Sequence, residues 1–148
     1  SLLEWIPKDI TLETNLSNRF ESRYSFVKIQ KNNSIMLNNM EDLEFGIWTA
    51  HKQGRIVTHN DIDDNLFPIK YIDDESNITE RYPYNPNGSK NGRCCIISEN
   101  GRHLAMMPHP ERCVLKYQMP WLSDNIKLDK YTPWMLMFKN ALEWCRNN

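Results

Sequence analysis

The chain has 148 residues, of which 40% are hydrophobic and 25% are charged, and its formal net charge is −1. This length predicts a single unit spanning residues 1–148 that can bury a sizeable core. The balanced charge gives no electrostatic signal for a nucleic acid or an anionic membrane as a partner. No apolar run is long enough to cross a bilayer and no signal peptide is recognisable, so we expect a cytoplasmic location.

The four cysteines are expected to be free thiols. Cys94 and Cys95 are adjacent, whereas Cys113 and Cys145 each stand singly. This spacing does not form a disulfide framework, and it is typical of proteins in a reducing, intracellular setting.

The first third of the chain is predicted to hold a helix end and two strands. Residues 2–6 resemble the last turns of an amphipathic helix that stops before Pro7. No start for that helix is present, so we expect the chain to be the tail of something longer. Residues 11–22 are polar and are predicted to form a loop. Residues 24–29 and 35–37 are predicted to be strands because they are short apolar runs bounded by turn residues.

The middle of the chain is predicted to contain two further strands separated by acidic turns. Residues 44–51 alternate between apolar and other side chains, which is typical of a strand with one buried face. Residues 67–72 are predicted to form the next strand. Residues 78–82 are expected to pair back onto it as a hairpin.

The last part of the chain is predicted to combine a loop, a hairpin and a helix. Residues 85–92 are rich in Asn, Gly and Pro, which predicts a loop with left-handed positions. Residues 94–98 and 103–107 flank an Asn-Gly pair, which is a strong hairpin signal. Thr132 is predicted to cap a helix with Pro133 at its first position. The predicted core face of this helix consists of Trp134, Phe138, Ala141, Leu142 and Cys145.

A proline-framed His-x-Glu follows the second strand of the predicted hairpin. Residues 104–107 form an apolar run that predicts a buried strand. Pro108 and Pro110 bias the residue before each of them towards extended backbone. In an extended chain, His109 and Glu111 project to the same side. This pattern suits an imidazole base whose tautomer is fixed by a carboxylate. A purely structural His-Glu pair is the alternative, and the residues themselves leave it open.

A metal site and a site for nucleophilic catalysis are the two alternatives to this interpretation. A metal site would need ligands from His103, His109 and Cys113, together with Cys94 or Cys95. No Cys-x-x-Cys spacing is present, so no metal site is predicted. Nucleophilic catalysis would need an activated Ser, Cys or Thr beside the imidazole. The adjacent cysteines fall in a predicted strand, where a thiol usually acts as a small apolar side chain. The residues therefore indicate a base and its orienter without an evident nucleophile.

Several motifs resemble one enzyme family, in the order in which that family has them. Residues 106–112 read Met-Met-Pro-His-Pro-Glu-Arg and resemble the signature of the glutamine amidotransferase domain of phosphoribosylformylglycinamidine synthases, also called formylglycinamide ribonucleotide amidotransferases. The other matching segments are residues 18–23, residues 82–89, Asn91-Gly92, and residues 132–135 with Phe138 and Asn140-Ala141. Together they cover nearly the whole chain, which makes the resemblance specific.

The resemblance implies a fold and a mechanism. The expected fold is α/β: the C-terminal half of a class I, flavodoxin-like amidotransferase domain, with a mixed sheet and a C-terminal helix. In that family a cysteine on a strand-to-helix elbow attacks glutamine, and the released ammonia passes to a synthetase domain that uses ATP and Mg²⁺. By resemblance His109 is the catalytic base and acid, and Glu111 orients it. The elbow cysteine would lie just before Ser1, so the isolated chain is expected to be inactive and to bind no cofactor itself.

The chain departs from the family pattern in one segment. Residues 51–55 read His-Lys-Gln-Gly-Arg, where the family typically has His-Gly-Glu-Gly-Arg. We assign His51 and Gln53, with Asn87 and Gly88 of the Asn-rich loop, to the lining of the glutamine pocket; ordinary turn structure is the alternative for all four. The departure also favours a second function, that of a non-catalytic interaction or assembly module. Expected partners are glutamine, the upstream half of the domain and the synthetase domain.

Overall fold

The computed structural model describes residues 9–121 and 130–148. Its elements in chain order are β1 (Ile10–Thr14), β2 (Glu21–Ile29), β3 (Glu44–His51), β4 (Gln53–Thr58), β5 (Ile69–Tyr71), β6 (Cys95–Ile97), β7 (Leu104–Met106) and α1 (Trp134–Asn147). The strands form three antiparallel groups, β1–β4, β3–β2–β5 and β6–β7. The predicted α/β class with a C-terminal helix is confirmed. No helix in the described part of the chain is long and apolar enough to span a bilayer. The helix end predicted at residues 2–6 lies outside the described residues.

Strands β2 and β3 form the centre of the molecule, and both were predicted. Alternate residues of the pair face one core, where Val27, Phe45 and Ile47 are buried. Trp134 of α1 packs edge-on against Phe45, with their ring centroids 4.6 Å apart. Its indole Nε1 donates a hydrogen bond of 2.9 Å to the carbonyl oxygen of Gly46. The helix is thereby attached to the strand that leads to the functional site.

The prediction that residues 11–22 form a loop is wrong at both ends, since β2 already begins at Glu21. Residues Ile10–Thr14 form β1, which pairs with β4 from Ile10 opposite Thr58 to Thr14 opposite Gln53. Both strands are rich in polar side chains, and among their residues only Gly54 and Ile56 are buried. Their partner lies about 40 residues away, so no local hydrophobic pattern announces the pairing.

The short strand predicted at residues 35–37 is also wrong. This segment consists of turns in which the N–H groups of Leu37 and Met40 donate to the carbonyl oxygens of Ser34 and Leu37. Both apolar side chains are fully buried in the core. Burial explains the apolar spacing, and the turn hydrogen bonds satisfy the backbone without a partner strand.

The predicted strand at residues 67–72 is present in a shorter form, but its hairpin is not. β5 covers Ile69–Tyr71, and residues 78–82 contribute only an isolated bridge between Ile72 and Ile78. Beyond that bridge the Arg81 N–H bonds the Thr79 side chain, which turns the chain away from the strand.

The β6–β7 hairpin confirms the prediction from the Asn-Gly pair. Gly101 has φ +69°, a left-handed conformation that glycine adopts without strain. The expectation that residues 104–107 form a buried strand is wrong in its burial: Leu104 and Met106 are half-buried and Ala105 is exposed. Among the described residues β7 pairs with β6 alone, so its other edge has no partner strand there.

The C-terminal helix begins where the capping residues predict. Pro133 already has helical dihedral angles of −56° and −25°, and the Thr132 hydroxyl accepts a hydrogen bond of 3.3 Å from the Trp134 N–H. Pro133 therefore fills the first helical position, where its missing N–H costs nothing.

The predicted core face of α1 is wrong beyond its first turn. Trp134, Met137 and Asn140 are buried, whereas Phe138, Leu142 and Cys145 of the predicted stripe are exposed. The Asn140 side-chain amide donates hydrogen bonds of 3.0 and 2.7 Å to the carbonyl oxygens of Met36 and Asn38. These bonds turn the Asn140 side of the helix towards the core and leave an apolar stripe outside.

Candidate active site

The His109-Glu111 pair lies on the edge of β3 opposite β2. The His109 N–H donates a 2.7 Å hydrogen bond to the carbonyl oxygen of Trp48, and a short 3-10 turn at Pro110–Arg112 follows at once. This turn brings the Glu111 carboxylate to 2.7 Å from His109 Nδ1. The predicted contact between the two side chains is therefore present.

The geometry of this pair defines what it can do chemically. The carboxylate accepts a hydrogen bond from Nδ1, so that nitrogen keeps its proton and Nε2 is left to exchange one. Both side chains are partly exposed, at 28% for His109 and 55% for Glu111. The imidazole can thus contact a substrate at the surface while its hydrogen bond to Glu111 fixes its orientation.

A second contact holds this turn against β3. The Trp48 N–H donates to the Cys113 thiol at 3.3 Å, and that sulfur lies 3.6 Å from the carbonyl oxygen of His109. The Tyr24 ring packs on Trp48 at 5.2 Å. One hydrogen bond between backbone groups and one hydrogen bond to the Cys113 thiol therefore hold the His109 turn against the edge of β3.

Three of the four cysteines are unsuited to act as a nucleophile. Cys94, Cys95 and Cys113 are fully buried. Burial raises the pKa of the Cys113 thiol to about 11, and burial likewise raises the pKa of Cys94. A reactive cysteine needs access and a depressed pKa, which is the opposite environment. Cys145 is exposed and lies in the last turns of α1.

His51 ends β3, and its imidazole is buried near the His109 pair. Only 6% of this residue is exposed. Burial lowers the pKa of His51, and the charge of His109 lowers it further, while Glu21 on the neighbouring strand opposes the shift. Its ring occupies the space beside Gly54, where an added Cβ would overlap it. Burial and the neighbouring imidazole thus both favour the neutral form of His51.

Asn87 lies next to His51, whereas Gln53 does not join them. The Asn87 amide nitrogen lies 3.2 Å from His51 Nε2 and donates a 2.8 Å hydrogen bond to the carbonyl oxygen of Gly54. Gly88 has φ +80°, and the Leu16 side chain fills the space where a Cβ would project. Gln53 is exposed at the start of β4. The structure thus brings together His51 and Asn87 of the four predicted lining residues, and the contact of all four with glutamine stays a prediction.

Sequence reasoning did not single out an arginine clamp beside this group. Arg23 donates hydrogen bonds to Glu21 Oε2 (2.7 Å), to the Tyr82 hydroxyl (2.6 Å) and to the carbonyl oxygen of Pro83 (3.2 Å). Its guanidinium also lies 4.6 Å from the centre of the Tyr82 ring. Glu21 pairs with His51 across β2 and β3. Residues 18–23 and 82–89 both belong to the segments that resemble the family, and the hydrogen bonds of Arg23 connect these two segments. That both segments belong to the family pattern is the signal by which sequence reasoning could have found this cluster.

The described residues offer no evident metal centre. Among residues 9–121 and 130–148, no group of three or more His, Cys, Asp or Glu side chains is arranged to hold a metal ion.

Comparison with known proteins gives consistent matches along the chain. The family model described as a CobB/CobQ-like glutamine amidotransferase domain matches residues 2–145. The chain is 42% identical to the phosphoribosylformylglycinamidine synthase of Dictyostelium discoideum and 44% identical to that of Drosophila melanogaster, over 98% and 93% of its length. It is 43% identical, over 97% of its length, to a probable chloroplastic/mitochondrial phosphoribosylformylglycinamidine synthase of Arabidopsis thaliana. The chain spans only 12%, 11% and 12% of these three relatives.

A solved structure shares the fold. The PurLQS structure from Thermotoga maritima superposes with a TM-score of 0.70 at 21% identity, covering 97% of this chain and 55% of that chain. The chain therefore has a fold found in a solved structure, and its family match covers nearly every residue. It belongs to the CobB/CobQ-like glutamine amidotransferase domain family.

Proposed function

We propose that this chain is part of the glutaminase domain of a phosphoribosylformylglycinamidine synthase. That enzyme would hydrolyse glutamine and use the ammonia for ATP-dependent amidation of formylglycinamide ribonucleotide in de novo purine biosynthesis. The observation that carries the proposal is the 2.7 Å contact between His109 Nδ1 and Glu111, on the edge of β3 in a chain of the amidotransferase family. The relatives named as this synthase support it.

In the proposed reaction, His109 and Glu111 are two members of a Cys-His-Glu triad. Nε2 of His109 takes the proton of the attacking thiol, and the resulting thiolate forms a bond to the carboxamide carbon of glutamine. His109 returns the proton to the leaving nitrogen, so that ammonia departs and a thioester remains. The imidazole then activates water, which hydrolyses the thioester to glutamate and the free thiol. Glu111 stabilises the imidazolium in both halves of the cycle.

The nucleophile is proposed to lie outside these 148 residues. The burial of Cys94, Cys95 and Cys113 supports this assignment. Residues 1–148 would then form the C-terminal part of the domain and contact both its upstream half and the synthetase domain. ATP and Mg²⁺ are proposed to act in the synthetase domain. We also propose a cytoplasmic location for this protein. One plant relative, in contrast, is named as chloroplastic/mitochondrial.

The proposal is tested in the intact synthetase by replacing the imidazole. His109→Ala should abolish product formation with glutamine and leave product formation with added ammonia unchanged, because only the first needs the triad. Loss of both activities would show that His109 holds the structure together and has no catalytic role.

The isolated chain provides a complementary test. We expect it to release no ammonia from glutamine. Turnover that survives replacement of all four cysteines would contradict the thioester mechanism for this chain.

A non-catalytic assembly module is the second candidate function. The exposed helix stripe of Met135, Phe138 and Leu142 favours it, as does the Lys52-Gln53 departure from the family pattern. In that case His109→Ala in the intact synthetase would leave glutamine-dependent activity unchanged.

A further inference from the structure

The antiparallel bridge that joins Trp48 of β3 to His109 includes a cysteine thiol. One side of the bridge is regular: the His109 N–H donates to the carbonyl oxygen of Trp48 at 2.7 Å. In a regular bridge of this type the Trp48 N–H would donate in return to the carbonyl oxygen of His109. Here that N–H donates to Cys113 Sγ at 3.3 Å, and the sulfur lies 3.6 Å from the carbonyl oxygen of His109. The thiol therefore connects the two backbone groups.

The protonated thiol suits both of these contacts. A thiol is a weak acceptor through its sulfur and a weak donor through its S–H. Sγ of Cys113 accepts from Trp48, and its S–H donates to the carbonyl oxygen of His109. Cys113 is fully buried, and burial raises the pKa of its thiol to about 11, so the sulfur keeps its proton at neutral pH. A thiolate could only accept, and it would leave the His109 carbonyl oxygen without this donor.

The backbone that carries the thiol is itself held in place. The Cys113 N–H donates to the carbonyl oxygen of Pro110 at 3.0 Å. The Cys113 carbonyl oxygen accepts a hydrogen bond from the Thr132 hydroxyl, and the Thr132 N–H donates to the carbonyl oxygen of Val114 at 2.9 Å. Thr132 also caps the start of α1. Because Cys113 is attached to the helix start in this way, its thiol can hold a defined spacing.

This spacing acts where the chain leaves β3. The contacts of 3.3 and 3.6 Å are longer than the roughly 2.9 Å of a direct N–H···O bond, so the sulfur keeps the His109 carbonyl group away from the strand. Immediately afterwards the chain enters the 3-10 turn Pro110–Arg112. That turn carries Glu111, whose carboxylate lies 2.7 Å from His109 Nδ1. The angle at which His109 leaves the strand therefore determines the geometry of the pair.

We propose that Cys113 is a positioning residue for His109: its thiol sets the spacing between Trp48 and His109 and thereby orients the imidazole. Cys113 is buried, and it acts through the backbone of His109. This inference rests on the proposed function and extends it by naming a residue that orients the proposed base. Misplacing a reacting group slows the chemical step more than it weakens substrate binding, so the effect should fall on kcat.

The kinetic test uses Cys113→Ala in the intact synthetase. The kcat with glutamine should fall about 10- to 100-fold, the upper value being the effect of a misplacement of about 1 Å. The KM for glutamine should change little, because the variant retains the groups that bind it. Product formation with added ammonia should be unchanged. A kcat with glutamine equal to that of the unaltered enzyme would overturn the proposal.

Two further variants separate the hydrogen bonds of the thiol from its volume. Cys113→Ser keeps a group that both donates and accepts, so it should recover part of the kcat that Cys113→Ala loses. Cys113→Val fills the space without a polar atom and should be as slow as Cys113→Ala. A Val variant as active as the unaltered enzyme would overturn the proposal, because volume alone would then suffice.

Cys95→Ala is the matched control for a general loss of packing. Cys95 is also fully buried, and its Sγ accepts a 3.2 Å hydrogen bond from a strand N–H, that of Ile69. Both alanine variants should lower the thermal stability of the intact enzyme by similar amounts, because each removes a buried thiol with such a bond. Only Cys113→Ala should lower the kcat with glutamine. Equal losses of kcat in the two variants would assign Cys113 a merely structural role.

Infrared spectroscopy tests the thiol contact independently of activity. An S–H that donates a hydrogen bond has a lower stretching frequency than a free S–H. The difference spectrum between the intact synthetase and its Cys113→Ala variant should contain the band of a donating S–H. A band at the frequency of a free thiol would overturn the proposal. Absence of glutamine-dependent activity in the unaltered enzyme would instead refute the proposed function, whatever the infrared spectrum shows.

Discussion

At the residue scale, the His109 site depends on local backbone chemistry. Two prolines frame the histidine, and the 3-10 turn that starts at Pro110 brings Glu111 back to its imidazole. The partner of the imidazole is thus only two residues away in sequence. A contact of this kind survives changes elsewhere in the fold, which explains why the motif alone predicted it.

Replacing the carboxylate by an amide tests its role without changing its shape. Glu111→Gln in the intact synthetase should lower the glutamine-dependent rate by about 100-fold or more, because an amide cannot stabilise the imidazolium that forms during catalysis. Steady-state rates with glutamine and with ammonia give the answer. Glu75→Gln, the same change at an exposed glutamate outside the site, is the control. An unchanged glutamine rate in Glu111→Gln would assign the pair a structural role.

Gly54 has a steric role that follows from its neighbour. Its φ is ordinary, but an added Cβ would overlap the His51 ring. Gly54→Ala should destabilise the chain by about 1–3 kcal/mol, the usual cost of overpacking a buried site. Denaturant unfolding measures this loss. Gln53→Ala, one residue earlier and exposed, should stay within about 0.5 kcal/mol. Equal stability of the two variants would show that the His51 ring has room to move.

At the element scale, β3 is the strand that organises the site. The backbone of Trp48 holds the His109 turn on the edge opposite β2, while His51 at the end of β3 faces Glu21 of β2. Neither neighbour is close to β3 in sequence. The strand was predicted with correct bounds because its alternation is local, but what it positions depends on partners that fold against it from elsewhere.

The short turn Asp64–Leu66 is fastened to β5 by charge. Asp64 accepts hydrogen bonds from Lys70 at 2.9 Å and from Arg93 at 2.8 Å, and both cations are buried. Burial alone would raise the pKa of Asp64, but the two hydrogen bonds outweigh it and lower the pKa below its usual value of 3.8. One carboxylate therefore compensates two buried cations.

Removing that carboxylate should destabilise the element. Asp64→Asn is expected to cost about 2 kcal/mol, below the roughly 3–5 kcal/mol of a fully buried pair, because Asp64 is half-exposed. A carboxyl group whose pKa is lower in the folded chain than in the unfolded chain stabilises the fold at pH values above its unfolded pKa. This stabilisation is lost as the pH falls through the folded pKa. The difference between wild type and Asp64→Asn should therefore shrink below about pH 4. Urea unfolding from pH 2 to 7 measures it.

The neighbouring acid provides the control for this prediction. Asp63 is exposed and accepts a hydrogen bond from the Asn65 N–H, which an Asn side chain can also accept. Asp63→Asn should therefore change stability by less than about 0.5 kcal/mol at any of these pH values. A loss in Asp63→Asn equal to that in Asp64→Asn would mean that overall charge, and not the clamp, is responsible.

At the scale of the whole molecule, the helix presents an apolar stripe outwards. Met135, Phe138 and Leu142 are 36%, 38% and 51% exposed. Contiguous exposed apolar side chains of this kind promote association. We expect the isolated chain to self-associate through this stripe.

Charge placed on the stripe should reverse that association. The double variant Phe138→Glu, Leu142→Glu is expected to lower the apparent mass towards that of a monomer and to leave the free energy of unfolding nearly unchanged. Sedimentation equilibrium and denaturant unfolding measure the two quantities. Met137→Glu is the control on the opposite side: Met137 is 4% exposed, so a charge there should unfold the chain. Association that persists in the double variant would place the contact elsewhere.

The sequence by itself determined the features whose causes are local. The strand bounds at Glu44–His51, the hairpin at its Asn-Gly pair, the helix start at Thr132-Pro133 and the His109-Glu111 contact all depend on residues within a few positions of one another. Periodicity, turn chemistry and proline geometry act over that range, so a single chain displays them.

Only the tertiary structure decided which faces and side chains meet. The β1–β4 pairing, the rotation of α1 about Asn140 and the convergence of Glu21, His51 and Asn87 join residues that are 30 to more than 100 positions apart. Such contacts are selected by packing and by the need to satisfy buried polar groups, which depend on the whole fold. No local pattern carries that information.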